Sequence, residues 1–199
     1  PCSEYAFLED TSCNLASINV YRFMDSKSKT FDTEAFLHVV ALVQLVLEAS
    51  IHWGQFPTAD VARKTYMFRT TGLGIANLAS LLMVSGFGYD SIEARNIAGA
   101  ICSMMTGYSY YVSSLMAKEV GAFEKYDINA KYLKRVLRNH ARASLALDDE
   151  YEGLNYKPFK LNSEILAKAG FGNAADAAKK VWQDTLDSSE KYGVRNAQV

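Results

Sequence analysis

Ser12-Cys13-Asn14-Leu15-Ala16-Ser17-Ile18-Asn19-Val20-Tyr21-Arg22-Phe23 alternates in character. Ala16, Ile18 and Val20 fall to one side and Ser17, Asn19 and Tyr21 to the other, the period of two expected of a strand. A polar connection, Asp25 to Lys29, follows, and then a helix is predicted from an N-cap at Asp32 to about Trp53. From Ala35 to Leu47 that helix is apolar on nearly every face, which places it deep in a core. A strand feeding a helix that needs cover on all sides predicts a piece of an α/β layer or barrel.

Outward from this stretch the chain reads as mostly helical. Residues 1–11 read as a loop. Pro57, at a first-turn position, opens a short helix toward Met67, with a further strand near Met67 to Thr71. Gly72-Leu73-Gly74 is expected to turn the chain into a helix over about 75–85, ended by Gly86 and Gly88. Asp90 and Glu93 form a capping box for a helix running to Gly121, about 45 Å long at 1.5 Å per residue. Helices from Asn129 to Leu147 and from Asn173 to Tyr192 complete the pattern, with Pro158 and Gly170-Phe171-Gly172 in the connections. Strand-like alternation resumes at 194–199. The chain opens at Pro1 directly before a cysteine and stops where this strand begins, so truncation at both ends is expected.

Composition narrows the function classes. Of 199 residues 49% are hydrophobic and 22% charged, which is globular and not disordered. A net charge of −1 gives no electrostatic case for nucleic acid or an anionic membrane. Cys2, Cys13 and Cys102 are odd in number, with no CxxC or zinc spacing, and no basic-then-apolar signal segment opens the chain. These features predict a soluble, cytoplasmic protein from a reducing compartment.

Most isolated signals have structural readings. The uncharged stretch Asn96 to Ala117 is long enough to span a bilayer, and Gly99, Ser103 and Gly107 repeat a small-xxx-small spacing. Its Ser, Thr, Asn and Tyr content favours a soluble core instead. Gly72-x-Gly74 is half of a dinucleotide fingerprint, with Asn77 where the third glycine belongs. His38, His52 and His140 stand singly, so no metal site is expected, and Cys102 reads as core filler. Arg135, Arg138, His140 and Arg142 read as a solvated helix face. Cys2-Ser3-Glu4 differs in placing a thiol and a carboxylate two residues apart in one loop, where both can face one substrate.

Taken together, the motifs carry a resemblance. Pro1-Cys2-Ser3-Glu4 followed by Ser12-Cys13-Asn14-Leu15-Ala16-Ser17-Ile18-Asn19 resembles the catalytic finger loop of ribonucleotide reductases. Phe68-Arg69-Thr70-Thr71-Gly72-Leu73-Gly74-Ile75-Ala76-Asn77-Leu78 resembles the arginine-to-GLG segment of that family. Leu81-Leu82-Met83, Tyr89-Asp90-Ser91 and Ala117-Lys118-Glu119-Val120-Gly121-Ala122-Phe123 follow in the family's order. Arg138-Asn139-His140, Glu150-Tyr151-Glu152-Gly153-Leu154 and Arg195-Asn196-Ala197-Gln198-Val199 look most like the adenosylcobalamin-dependent (class II) branch.

The resemblance implies an α/β fold: a mostly helical segment of the family's ten-stranded α/β barrel, truncated at both ends. Residues 1–199 would be an internal part of the catalytic barrel domain. Finger loop and strand would occupy 1–23, helices 30–192, and the start of a strand 194–199. It implies a thiyl radical on Cys2, Glu4 as general base, and Cys13 as one member of a redox pair whose other member Cys102 does not match. The activity implied for the full-length protein is that of a ribonucleoside-diphosphate reductase, making 2′-deoxyribonucleotides for DNA synthesis with adenosylcobalamin and a thioredoxin-type reductant. An asparagine before Pro1, an upstream cysteine, a phosphate loop after Val199 and most of the cobalamin site are expected outside these residues, so the 199 residues alone are expected to be inactive. The alternatives are the class I catalytic subunit, whose radical comes from a dimetal partner protein, and a non-catalytic helical binding or membrane module.

Overall fold

The computed structural model describes residues 8–148 and 150–198. Strand β1 (Asn14–Asn19) runs into a 3-10 turn at Val20–Phe23, held by the Asn19 side chain, which accepts from the Tyr21 N–H. A two-residue hairpin, β2 (Met24–Asp25) with β3 (Thr30–Phe31), occupies the expected polar connection. Helix α1 (Thr33–Trp53) begins at the expected cap, Asp32, whose Oδ1 accepts from Ala35 N at 2.9 Å. Helix α2 (Ala59–Phe68) is capped by Thr58, with Oγ1 accepting from Val61 N at 3.2 Å. Pro57 therefore precedes the cap and lies outside the first turn.

Strand β4 (Thr71–Ala76) pairs in parallel with β1, from Asn14 opposite Thr71 to Asn19 opposite Ala76. The glycine pair thus lies inside a strand, contrary to the expected turn. The reversal falls at Asn77, left-handed at φ 62°, where α3 (Leu78–Ser85) starts. A Cβ at Gly74 would lie 3.4 Å from Ser17 Oγ, so the small residue suits the close approach of the two strands. Helix α1 packs on this ribbon and on α4 (Ile92–Val120). The cap of α4 is Ser91, which accepts from Ala94 N at 3.0 Å, and not Asp90, which instead accepts from Arg95.

The remaining helices are α5 (Tyr126–Ala143), α6 (Ser163–Lys168) and α7 (Gly172–Tyr192). Helix α5 starts three residues before the expected Asn129 and stops before left-handed Leu145. Helix α6 has a strong local signal that the periodicity hides in so short a piece: Asn162 Oδ1 accepts from both Glu164 N and Ile165 N. The expected strand start at 194–199 is absent from the described residues 194–198. Asn196 is left-handed at φ 85°, which breaks the extended run. The segment still flanks β4, with Leu73 N donating to Gln198 O at 2.9 Å and Thr71 N to Gln198 Oε1 at 3.1 Å.

The core lies where α4 meets α1 on one side and α7 on the other, with Phe36, Val40, Ile97, Ile101 and Met104 fully buried. The stretch 96–117 is therefore an interior helix, and its small residues serve that packing. Ser103 Oγ accepts from Trp182 Nε1 at 3.1 Å, and the Gly107 carbonyl accepts from Thr185 Oγ1 at 2.8 Å. Among the described residues one helix, not the 96–117 stretch but Thr33–Trp53, is long and apolar enough to cross a membrane. The expectation that it is buried all round is corrected. Phe36, Val40, Leu47 and Ile51 are buried, whereas Leu42, Leu45, Val46 (64% exposed) and Trp53 (78%) form an open face, because nothing among the described residues packs there.

Gly107 gives a direct test of the α4–α7 seam. A Cβ there would sit 2.8 Å from Val181 Cγ1 and 3.1 Å from two Trp182 ring atoms. Gly107→Ala should cost about 1–3 kcal/mol through overpacking, despite alanine's better helix propensity. Hydrogen exchange along 103–114 and 181–189 measures it, and unchanged protection there would show that the seam relaxes freely.

Candidate active site

Cys2 and Glu4, the proposed radical carrier and base, lie outside the described residues. Cys13 is described. It precedes β1, half-buried, with Sγ 3.8 Å from the Asn14 carbonyl, and no disulfide joins it to Cys102. The residues on either side of it are tied down. Ser12 N donates to Thr65 Oγ1 at 2.8 Å, and Thr70 Oγ1 donates to the Ser12 carbonyl. Asn14 Nδ2 donates to Ser50 Oγ at 2.6 Å, and that hydroxyl donates to Leu47 O at 2.7 Å. Thus α2, the α2–β4 junction and α1 together fix the backbone around Cys13.

Behind this clamp lies a charge cluster that sequence reasoning missed. Glu48 Oε1 accepts from Arg69 Nε at 2.6 Å and from Arg195 Nε at 2.8 Å, and Arg69 Nη2 donates to the Glu48 carbonyl at 3.1 Å. Arg69 is only 3% exposed; burial pulls its guanidinium below its ordinary pKa, and Glu48 opposes that shift. It also caps α2 in the left-handed conformation, φ 54°, which costs a non-glycine residue about 1–2 kcal/mol. The ion pair holds that turn and so sets where Thr70 points. Gln44, one helical turn before Glu48, donates from Nε2 to the Asn196 carbonyl at 3.4 Å, and Ser113 Oγ donates to the same carbonyl at 2.8 Å. A Gln and a Glu four apart in an otherwise apolar helix were the available signal, since buried polar groups at i and i+4 share a face.

Next to the clamp is a groove of about 320 Å³, lined by Leu8, Phe68, Thr70, Phe123, Tyr132, Asn196 and Gln198 among others. A second groove, about 230 Å³, is lined by His140, Asn139, Val136 and Tyr156 and includes none of the residues that hold Cys13. The basic run on α5 is only in part the expected solvated face: His140 is exposed and Arg138 partly so, whereas the Arg142 side chain is largely buried. Arg138 grips Glu152 through two bonds of 2.7 and 2.6 Å, and Arg142 adds a third at 2.8 Å. The Arg138 and Arg142 guanidiniums hold the Glu152 carboxyl down to about 2. His140 opens to the groove on one side and stacks on Trp182 at 5.5 Å and 7°, and the surrounding protein lowers its pKa by desolvation. Cys102 is a half-buried thiol on α4 with its pKa raised by burial, in keeping with packing. No group of three or more His, Cys, Asp or Glu side chains converges on a metal position among the described residues.

The described residues thus give a two-stranded parallel ribbon with Cys13 just before β1 and residues 194–198 flanking β4. The whole chain, residues 1–199, matches the model of the ribonucleotide reductase barrel domain, and it belongs to that family. It is similar to the vitamin B12-dependent ribonucleotide reductases of Agrobacterium fabrum (46% identical), Bradyrhizobium diazoefficiens (44%) and Streptomyces avermitilis (41%). All of this chain is covered in each comparison, but it spans only 15, 16 and 19% of the three relatives' lengths.

Proposed function

We propose that these residues form part of the catalytic barrel of a ribonucleotide reductase of the adenosylcobalamin-dependent class, acting on ribonucleotides in the cytoplasm with a thioredoxin-type reductant. The β1–β4 ribbon would contribute to the ten-stranded barrel, and residues 1–13 would be its finger loop. The observation that carries the reading is the clamp on Cys13, within a chain 41–46% identical to B12-dependent reductases. A cysteine that must form and release a disulfide in each cycle needs a fixed Cα and a rotatable thiol, because disulfide geometry tolerates little displacement. Cys2 would carry the radical that takes hydrogen from the ribose 3′-carbon, and Glu4 would accept the 3′-hydroxyl proton.

Adenosylcobalamin supplies the radical chemistry in such enzymes. The described residues do not fit it: the grooves beside Thr70 and His140 are lined mainly by aliphatic and aromatic side chains, and no three His, Cys, Asp or Glu side chains among the described residues converge on a metal position. Its site is assigned to the rest of the enzyme.

The test is Cys13→Ser in the full-length enzyme, supplied with adenosylcobalamin and no dimetal protein. Substrate deuterated at the 3′-position should still lose deuterium to solvent while deoxynucleotide formation with a thioredoxin-type reductant falls to background. Wild-type product formation would remove Cys13 from the redox pair. A requirement for a dimetal partner in the unmutated enzyme would move the assignment to class I.

A further inference from the structure

We propose that Thr65 and Thr70 are positioning residues for the redox step of Cys13, an inference that rests on the redox role proposed above. Both are almost completely buried and both direct Oγ1 at the residue before the cysteine. Thr65 accepts from the Ser12 N–H at 2.8 Å, and its hydroxyl donates to Ser12 Oγ at 3.3 Å. Thr70 donates to the Ser12 carbonyl, the oxygen of the peptide that leads into Cys13. Neither polar group of Ser12 is used by the strand pairing, which begins at Asn14. The two hydroxyls therefore do for this residue what a ladder would do further along. With Asn14 held by Ser50 on the other side, the direction of the Cys13 Cα–Cβ bond is set.

This arrangement suits a thiol with two successive partners. As the substrate's C2′–O bond breaks, Cys13 and a second cysteine of the full-length enzyme give up two electrons and two protons. Hydrogen replaces the hydroxyl at C2′, the oxygen leaves as water, and an S–S bond joins the two sulfurs. An external dithiol then exchanges with that disulfide and restores both thiols, being itself oxidised. Both partners must meet Sγ from a backbone position held to a fraction of an ångström. The placement of Thr70 depends in turn on left-handed Arg69 and its bond to Glu48.

The experiment uses the full-length enzyme, pre-reduced and mixed with 3′-deuterated substrate and adenosylcobalamin without external reductant. Thr70→Val and Thr65→Val keep the side-chain shape and remove the hydroxyl. Each should slow the single-turnover burst of deoxynucleotide by roughly tenfold or more. Loss of 3′-deuterium to solvent should continue, which shows an intact radical site. The midpoint for reduction of the Cys13 disulfide, read by thiol alkylation and mass spectrometry over a dithiothreitol series, should shift as well. Thr70→Ser, which keeps the hydroxyl, should restore both values. A wild-type burst and midpoint in both valine variants would overturn the proposal. So would joint loss of burst and deuterium release, since that marks the threonines as general supports of the fold. Cys13→Ser run alongside separates the two readings: if it keeps a full burst, the redox role itself fails, whatever the threonine variants do.

Discussion

Glu48→Gln should destabilise the barrel segment by about 3–5 kcal/mol, although the replacement has the same shape and can still accept a hydrogen bond. Glu48 is the only carboxylate bonded to both Arg69 and Arg195 among the described residues, and it is itself largely buried. Removing its charge leaves two guanidiniums facing each other in a region of low dielectric, with Arg69 unable to reach water. The loss should appear first at the ends of the cluster, in faster hydrogen exchange at 69–76 and 194–198, where the backbone turns depend on the two arginines. A companion variant tests the cause. Replacing Glu48, Arg69 and Arg195 together with Leu and Met removes the uncompensated charge, so the triple variant should be more stable than Glu48→Gln alone. A loss below about 1 kcal/mol for the single variant, or a triple variant less stable than the single, would show that packing and not charge holds this corner.

That cluster also marks where the sequence stopped being readable. Helix α1 was legible to the residue at its N-cap because Asp32 offers an oxygen to an orphan N–H three residues on, a purely local signal. Helix α4 and helix α7 were legible because long apolar periodicity and flanking glycines are local as well. The GLG segment misled because glycines allow a turn without requiring one. Tertiary pairing with β1 drew Gly72 and Gly74 into a strand, and the left-handed position went to Asn77. The arginine run on α5 was legible only in part, as a solvated face, because its partner, Glu152, comes from a connection with no periodicity at all. The clamp on Cys13 joins residues 53 and 58 positions apart, a separation at which a lone sequence carries no geometric information. Only the resemblance singled out Cys13, and only the fold reveals what holds it.

Cys2→Ser in the full-length enzyme should reduce deoxynucleotide formation to background and stop hydrogen abstraction with it, the one single substitution here expected to silence both. A thiol hydrogen is held weakly enough that a sulfur radical and a ribose carbon can exchange it in both directions, as a catalytic cycle requires. A serine hydroxyl holds its hydrogen far more tightly, so an oxygen radical is much harder to make and could not be regenerated by the same exchange. Deuterium loss from the 3′-position should therefore stop together with product, whereas Cys13→Ser should stop product alone. Glu4→Gln should be milder than either. The amide keeps the shape of the carboxylate but cannot accept the 3′-hydroxyl proton, so turnover should drop by roughly 10²–10⁴ while hydrogen abstraction continues. On the proposed roles, Cys2 would act at the first bond broken, Glu4 at the proton that leaves next, and Cys13 at the electrons that finish the reaction. A Cys2→Ser enzyme that still released 3′-deuterium would detach the radical from this cysteine, and full activity in Glu4→Gln would remove the carboxylate from the proton path.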